Sequence, residues 1–213
     1  MVEPSLYGAA YSVYVRVARL ALLEKGVAYR LVEVDAFASD GPPAEHLTRQ
    51  PFGKIPAFEH DGFRLYETGA ITRYVDEAFE GTALQPVNPQ ARARMNQVIS
   101  ILDSYAYPVL VWVIYVERID APKRGRRSDE ARIMLALPEA ETCLTALEDI
   151  LADGPWLAGP VLTLADLHAA PIFDLLLQTP EGAEMLAQHP RLMAWWSAAS
   201  ARESMTLTIA AAV

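Results

Sequence analysis

The 213-residue chain has a single cysteine, Cys143, so no disulfide can close within it. It also lacks a Cys-x-x-Cys pair and cannot run a dithiol redox cycle by itself. Leu144 and Leu147 place Cys143 on a helix, where a lone thiol serves as a small buried hydrophobe. Positive charge is scarce: 18 Lys and Arg stand against 27 Asp and Glu, a net charge of −9. That balance argues against non-specific nucleic-acid binding and against attraction to anionic lipid. No uninterrupted apolar run reaches the length of a membrane span; the stretch 109–116 is too short and contains Trp112 and Tyr115. With no secretory leader, a soluble, cytoplasmic protein is expected. Metal-ligand spacings, a phosphate-cradling loop and a hydrolase nucleophile elbow are missing, so no metal is expected.

What is present divides in two. Hydrophobic residues make up 52% and charged residues 21%, enough to bury a core. Residues 5–80 alternate in character. Leu6-Tyr7 reads as a short strand, 13–25 as a helix stopped by Gly26, and 27–34 as a strand rich in β-branched and aromatic residues. Asp61-Gly62 between two short strand-like runs signals a hairpin with a type I′ turn, and a helix starts near Thr68. This order predicts a mixed sheet whose first strand–helix–strand unit is parallel and right-handed. The run 80–89, with two prolines and a glycine, reads as a linker. Beyond it only helical periodicity remains, over 90–117, 128–151, 163–177, 180–188 and 190–201. Pro108 should kink or break the first of these. Lys123, Arg124, Arg126 and Arg127 read as a solvated interhelical loop, and the Ala-rich tail from Ile209 as frayed. The expected domains are 1–80 and 91–213, joined by the linker 81–90.

The densest chemistry lies in Pro51-Phe52-Gly53-Lys54-Ile55-Pro56 and in Tyr66-Glu67-Thr68-Gly69-Ala70-Ile71. Pro56 cannot donate a ladder hydrogen bond, so at a strand start it implies an edge, a bulge or a cis peptide. A cis Ile55–Pro56 bond would leave the Ile55 N–H and C=O facing outward, where an extended peptide can pair as an added strand. Thr68 fits an N-cap, and the free N–H groups of a helix start suit a carboxylate. Glu67 beside it can accept from an ammonium. Together they can clasp the two charges of an amino-acid head group, although the pair alone would read as a cap beside a solvated acid.

These motifs resemble the cytosolic glutathione transferases, chiefly the serine-type theta, delta and phi classes and their bacterial relatives. The likeness covers residues 6–79, through Leu6-Tyr7-Gly8, Ser12, Arg16-Val17, Glu24-Lys25-Gly26-Val27-Ala28-Tyr29 and the two motifs above. A weaker likeness in Leu162-Thr163-Leu164-Ala165-Asp166 matches the family's buried helix start, with Asp166 reaching back as a capping-box acid. The resemblance implies a thioredoxin-like N-terminal domain with an all-helical C-terminal bundle. It also implies glutathione as co-substrate, an apolar electrophile, a homodimer and a role in detoxification.

Carried over residue by residue, the resemblance puts the thiolate-stabilising hydroxyl at Ser12, four residues before Arg16. Tyr7, Tyr11 and Tyr14 are the alternative donors. Ser12 also reads as a simple N-cap, and Arg16 as either a source of positive potential or a structural anchor. Ile55 would pair with the cysteinyl portion of glutathione, Pro56 would be cis, and Glu67 with Thr68 would hold the γ-glutamyl group. Lys54 would meet a carboxylate. The departure lies upstream, where Asp40-Gly41-Pro42-Pro43 offers no basic residue, leaving only His46 nearby. Tyr11, Tyr105, Trp112 and Tyr115 would wall an electrophile pocket between the domains, and Phe52 would key into a second subunit. Tyr107 belongs to the same aromatic run, while His168 reads as a buried, hydrogen-bonded histidine. A glutathione-dependent isomerase, a glutathione-disulfide reductase and a non-catalytic ligand-binding scaffold are the rival readings on this fold.

Overall fold

A computed structural model of the chain describes residues 3–39, 41–151 and 154–209. Asp40 and the tail beyond Ile209 lie outside the described residues. The chain divides into two compact units: Met1–Gln85 with the segment from Arg202, and Pro86–Ala201.

The first unit is built on a four-stranded sheet of order β2-β1-β3-β4, with β1 Ser5–Tyr7, β2 Arg30–Val32, β3 Ala57–His60 and β4 Phe63–Tyr66. β1 runs parallel to β2 and antiparallel to β3, which pairs antiparallel with β4. Helices α1 (Val13–Glu24), α2 (Ala44–Leu47) and α3 (Thr68–Ala78) complete the connections. α1 stops where expected: Gly26 has φ +68, and the Gly26 and Val27 N–H groups return to Leu23 and Leu22 carbonyls. The hairpin turn has φ +49 at Asp61 and +78 at Gly62, the pair of positive values a type I′ turn requires. β2 is shorter than the expected 27–34 because its only neighbour, β1, offers three residues to pair with. The four-residue α2 is too short to leave a periodic signature and was not expected.

In the second unit, α4 (Pro89–Ile101) starts at Asn88, whose side chain accepts from Gln90 and Ala91 N–H. The helix continues as a π-wound segment, Leu102–Asp120, and then α5, Ala121–Lys123. It therefore overruns the expected end at 117 and passes through Pro108 unbroken. In π winding the acceptor lies five residues back, so the proline ring is not set against an α-turn carbonyl, while its missing N–H still leaves one ladder bond unmade. An 18-residue window of this 35-residue helix has mean hydropathy 1.6, apolar and long enough by composition to cross a bilayer. A core helix packed inside a domain passes the same length and composition test. Leu102, Ala106, Leu110 and Ile114 on it are fully buried, and the helix packs on α6 (Glu130–Ile150) and α7 (Leu164–Leu176).

α8 (Pro180–Ala187) and α9 (Pro190–Ser200) fall where the periodicity puts them. α6 carries Pro138 inside it. The basic cluster begins at Lys123, the last residue of α5, and continues into a loop, with Arg124 2.8 Å from Asp120 and Arg126 3.9 Å from the buried Glu117. The last helix, α10 (Glu203–Leu207), was not expected; its residues were assigned to the helical domain, but they group with the first unit and pack on α1. Arg16 donates to Thr208 Oγ1 and the Met205 carbonyl, and Arg19 to the Leu207 and Thr208 carbonyls, long-range contacts that no local pattern encodes.

Candidate functional site

The sheet register brings the chemistry-bearing segments to one end. Tyr7, the last residue of β1, lies between Val32 of β2 and Ala57 of β3, and Ala57 pairs with Tyr66 of β4. The segments that leave β1, β2 and β4 and the one that enters β3 therefore start side by side. These are Gly8 to Ser12, the segment after Val32, Glu67-Thr68, and Ile55-Pro56. Gly8 makes the approach close: a Cβ there would sit 2.4 Å from Val15 Cγ2 and 3.2 Å from Ile55 Cβ. Only glycine leaves room for the β1–α1 loop to lie against the Ile55 loop.

Ser12 is half-buried and forms the N-cap of α1, its oxygen accepting from Val15 N–H at 3.4 Å. Capping uses the oxygen as acceptor and leaves the hydroxyl proton available to a ligand atom. Its backbone N–H donates to Ala9 and its carbonyl accepts from Arg16 N–H, fixing the turn. Tyr7 is buried beside Val32, Val34, Ile55 and Ala57, with the Arg49 guanidinium 4.4 Å from its ring centre. Tyr11 is 46% exposed, and its hydroxyl donates to Asp35 at 2.6 Å while its ring stacks on Phe37. Tyr14 is half-buried on the first turn of α1. Arg16 is buried and binds Thr208 Oγ1 and Met205 O, the anchor role of its two expected ones.

The Ile55–Pro56 peptide is cis. Among the described residues nothing pairs with the Ile55 backbone N–H or C=O. Lys54 is exposed at its side chain, but its backbone is held from below: His46 Nε2 lies 2.7 Å from its carbonyl, and Gln50 Oε1 accepts from its N–H. His46 is thus a buried support for the loop and does not replace the missing basic residue upstream. Gln50 was not singled out in the sequence; its position just before Pro51 was the available signal.

At α3 one expectation is corrected. The N-cap is Glu67, with φ +69, and Thr68 is the first helical residue. The positive φ turns the chain sharply between β4 and α3, so the cap falls one residue early. The Glu67 carbonyl accepts from Ala70 and Ile71 N–H. The N–H groups of Thr68 and Gly69 have no intrahelical acceptor. Glu67 is exposed beside them and Thr68 is buried.

In the helical unit, Tyr105 and Trp112 are exposed, and Tyr107 lies edge-on to Trp112 at 6.3 Å. Tyr115 is half-buried; burial, then Asp120 and Asp174, pushes its phenol up. His168 is buried with Nδ1 3.0 Å from Leu164 O, as expected. The capping box of Thr163 and Asp166 is present and does more than cap. The buried Asp166 carboxylate also accepts from Leu157 N–H and Trp195 Nε1. Among the described residues no group of three or more His, Cys, Asp or Glu is arranged to hold a metal. Phe52 is 68% exposed and meets Tyr66 edge-on at 6.1 Å.

Comparison with known proteins accounts for both units. Residues 6–83 match the family model of the glutathione S-transferase N-terminal domain, and residues 93–203 that of the C-terminal domain. Glutathione S-transferase 4 of Zea mays is 33% identical over 197 residues, 92% of this chain and 87% of its own. The crystal structure of glutathione transferase F7 from Populus trichocarpa has a TM-score of 0.85 at 31% identity, covering 96% of this chain and 97% of that one. A theta-class glutathione S-transferase from Xanthomonas axonopodis pv. citri, solved with glutathione bound, has a TM-score of 0.83 at 26% identity, covering 100% and 99%. A sheet end flanked by a helix-capping serine, a cis-proline loop and an acid–hydroxyl helix start thus sits in a chain that belongs to the glutathione S-transferase family.

Proposed function

We propose that this chain is a glutathione transferase in which Ser12 stabilises the glutathione thiolate for attack on an apolar electrophile. The observation that carries the proposal is the convergence of Ser12, Ile55-Pro56 and Glu67-Thr68 at one end of the sheet. The unpaired Ile55 backbone offers a donor and an acceptor to the cysteinyl portion as an added strand would. Glu67 accepts from the γ-glutamyl ammonium, while Thr68 and the free N–H groups at the start of α3 take the carboxylate. Lys54 is free at its side chain to meet a second carboxylate.

A cysteine thiol titrates near about 8.5, and a donor aimed at the charged form lowers that value. Ser12 supplies such a donor at the N-terminus of α1, whose dipole favours the same anion. The exposed aromatics Tyr105 and Trp112, with Tyr115, supply apolar surface suited to a flat electrophile. A homodimer keyed by Phe52 and a cytoplasmic location belong to the same proposal.

The test is the ultraviolet thiolate signal of glutathione, titrated against pH with saturating wild-type protein and with Ser12→Ala. A pKa lowered by the wild type and restored by the variant, with binding retained, supports the activating serine. An equal lowering by both moves the role to another donor. Saturable binding with no shift at all would favour a carrier on the same scaffold, and no binding removes the glutathione assignment.

A further inference from the structure

The residue before Ile55 is gripped at both of its backbone polar groups by buried side chains. His46, 2% exposed, places Nε2 2.7 Å from Lys54 O. A carbonyl can only accept, so Nε2 carries the proton and donates. Nδ1 of the same ring is buried with no partner among the described residues, so that carbonyl is the polar contact the ring is set up to make. Gln50, also 2% exposed, accepts at Oε1 from Lys54 N–H at 3.2 Å and from Phe52 N–H at 2.7 Å. Both side chains come from one short segment, with Gln50 N–H donating to His46 O at 2.9 Å.

The Lys54 C=O and the Ile55 N–H belong to the same planar peptide unit and point in opposite directions. Whatever fixes the carbonyl fixes the amide proton that is turned outward. We propose that His46 is a positioning residue for ligand binding: by holding the Lys54 carbonyl inward it aims the Ile55 N–H at the incoming cysteinyl carbonyl, and Gln50 fixes the peptide before it. Neither side chain touches the ligand. Their contribution is to remove the ordering that a loose loop would undergo on binding. The inference rests on the reading in which Ile55 pairs with glutathione.

The experiment is calorimetric titration of glutathione into the full chain as wild type, His46→Phe and His46→Gln, with steady-state kinetics on each. Phenylalanine keeps the ring and loses the donor. Glutamine extends an amide N–H to about the place of Nε2. Loss of one buried donor should raise the Kd for glutathione about tenfold in His46→Phe, and His46→Gln should recover most of that. At saturating glutathione kcat should stay within about twofold of wild type, with the electrophile KM unchanged. A His46→Phe protein that binds as wild type, or a folded His46→Gln as weak as His46→Phe, overturns the proposal. If His46→Phe does not fold, Gln50→Met carries the test, and a wild-type Kd there overturns it equally. A wild type that fails to bind glutathione is a different failure: it removes the functional reading, and this inference with it.

Discussion

Arg16 donates through Nε to Thr208 Oγ1 at 3.1 Å, across 192 residues of chain. Its Nη2 reaches Met205 O at 3.2 Å, so one buried guanidinium ties the start of α1 to the C-terminal helix. Arg16→Met would strand those acceptors. The expected loss is about 2–3 kcal/mol of stability, the range for hydrogen bonds to a charged group, against about 1 kcal/mol for Thr208→Val. Urea unfolding of the two variants measures both; equal stability to wild type would show that the tether is not needed.

Glu24 joins the same contact, accepting from Arg202 Nε at 2.7 Å and from Ser204 Oγ. Burial raises its carboxyl, but the hydrogen bonds from Arg202 and Ser204 outweigh burial and leave it below its ordinary value. A depressed carboxyl adds stability above the unfolded value, near about 4.3, and that stability disappears as pH falls through the folded value. Glu24→Gln should therefore lower stability at pH 7 and flatten its decline below about pH 4.3. Denaturant midpoints from pH 3 to 7 check this, and parallel wild-type and mutant curves would contradict it.

The hydroxyls near the sheet end are separated by what already occupies them. Tyr11 commits its proton to Asp35 at 2.6 Å, and Tyr7 is packed under Arg49. Tyr11→Phe and Tyr7→Phe should leave the pKa of bound glutathione where wild type puts it. Ser12→Ala should return it toward the free value by about one unit or more. Spectroscopic titration of the three variants decides among Ser12, Tyr11 and Tyr7, and a Tyr11→Phe protein that loses the shift would move the role there.

Phe52 is 68% exposed next to Gly53, at a loop tip where a large apolar ring gains little within one chain. If it keys a second subunit, Phe52→Ser should shift a dimeric mass toward the monomer in light scattering. The unfolding stability of the chain itself should change by about 0.5 kcal/mol or less. An unchanged dimer would remove the role assigned to Phe52.

Local signals were legible and distant ones were not. Asp61-Gly62 fixed its turn because both positive φ values are a property of those two residues. Pro56, Gly26 and the Thr163–Asp166 pair were readable for the same reason. Thr68 was placed one position off as a cap because the positive φ of Glu67 is set by the β4–α3 corner, which no propensity announces. Pro108 does not break the helix, which runs through it with π winding rather than the α ladder that the expectation of a break assumed. Arg16 with Thr208, His46 with Lys54 O and Asp166 with Trp195 are contacts between segments, visible only once the chain is folded.

Cys143 bears on which sulfur can react. Burial, then the charge of Glu139, pushes its thiol up to about 11. At pH 8 the thiolate is then about one part in a thousand, since the pH lies about three units below that value. Iodoacetamide should label the native protein very slowly at pH 8 and rapidly once urea unfolds it, read by intact mass. The raised value also sets a sign: the unfolded thiol releases its proton first, from about 8.5 upward, so stability should fall as pH rises from there toward 11. Cys143→Ala should remove that part of the alkaline decline. Fast native labelling would reopen a protein-thiol mechanism; slow labelling leaves glutathione to supply both thiols of any disulfide exchange at this site.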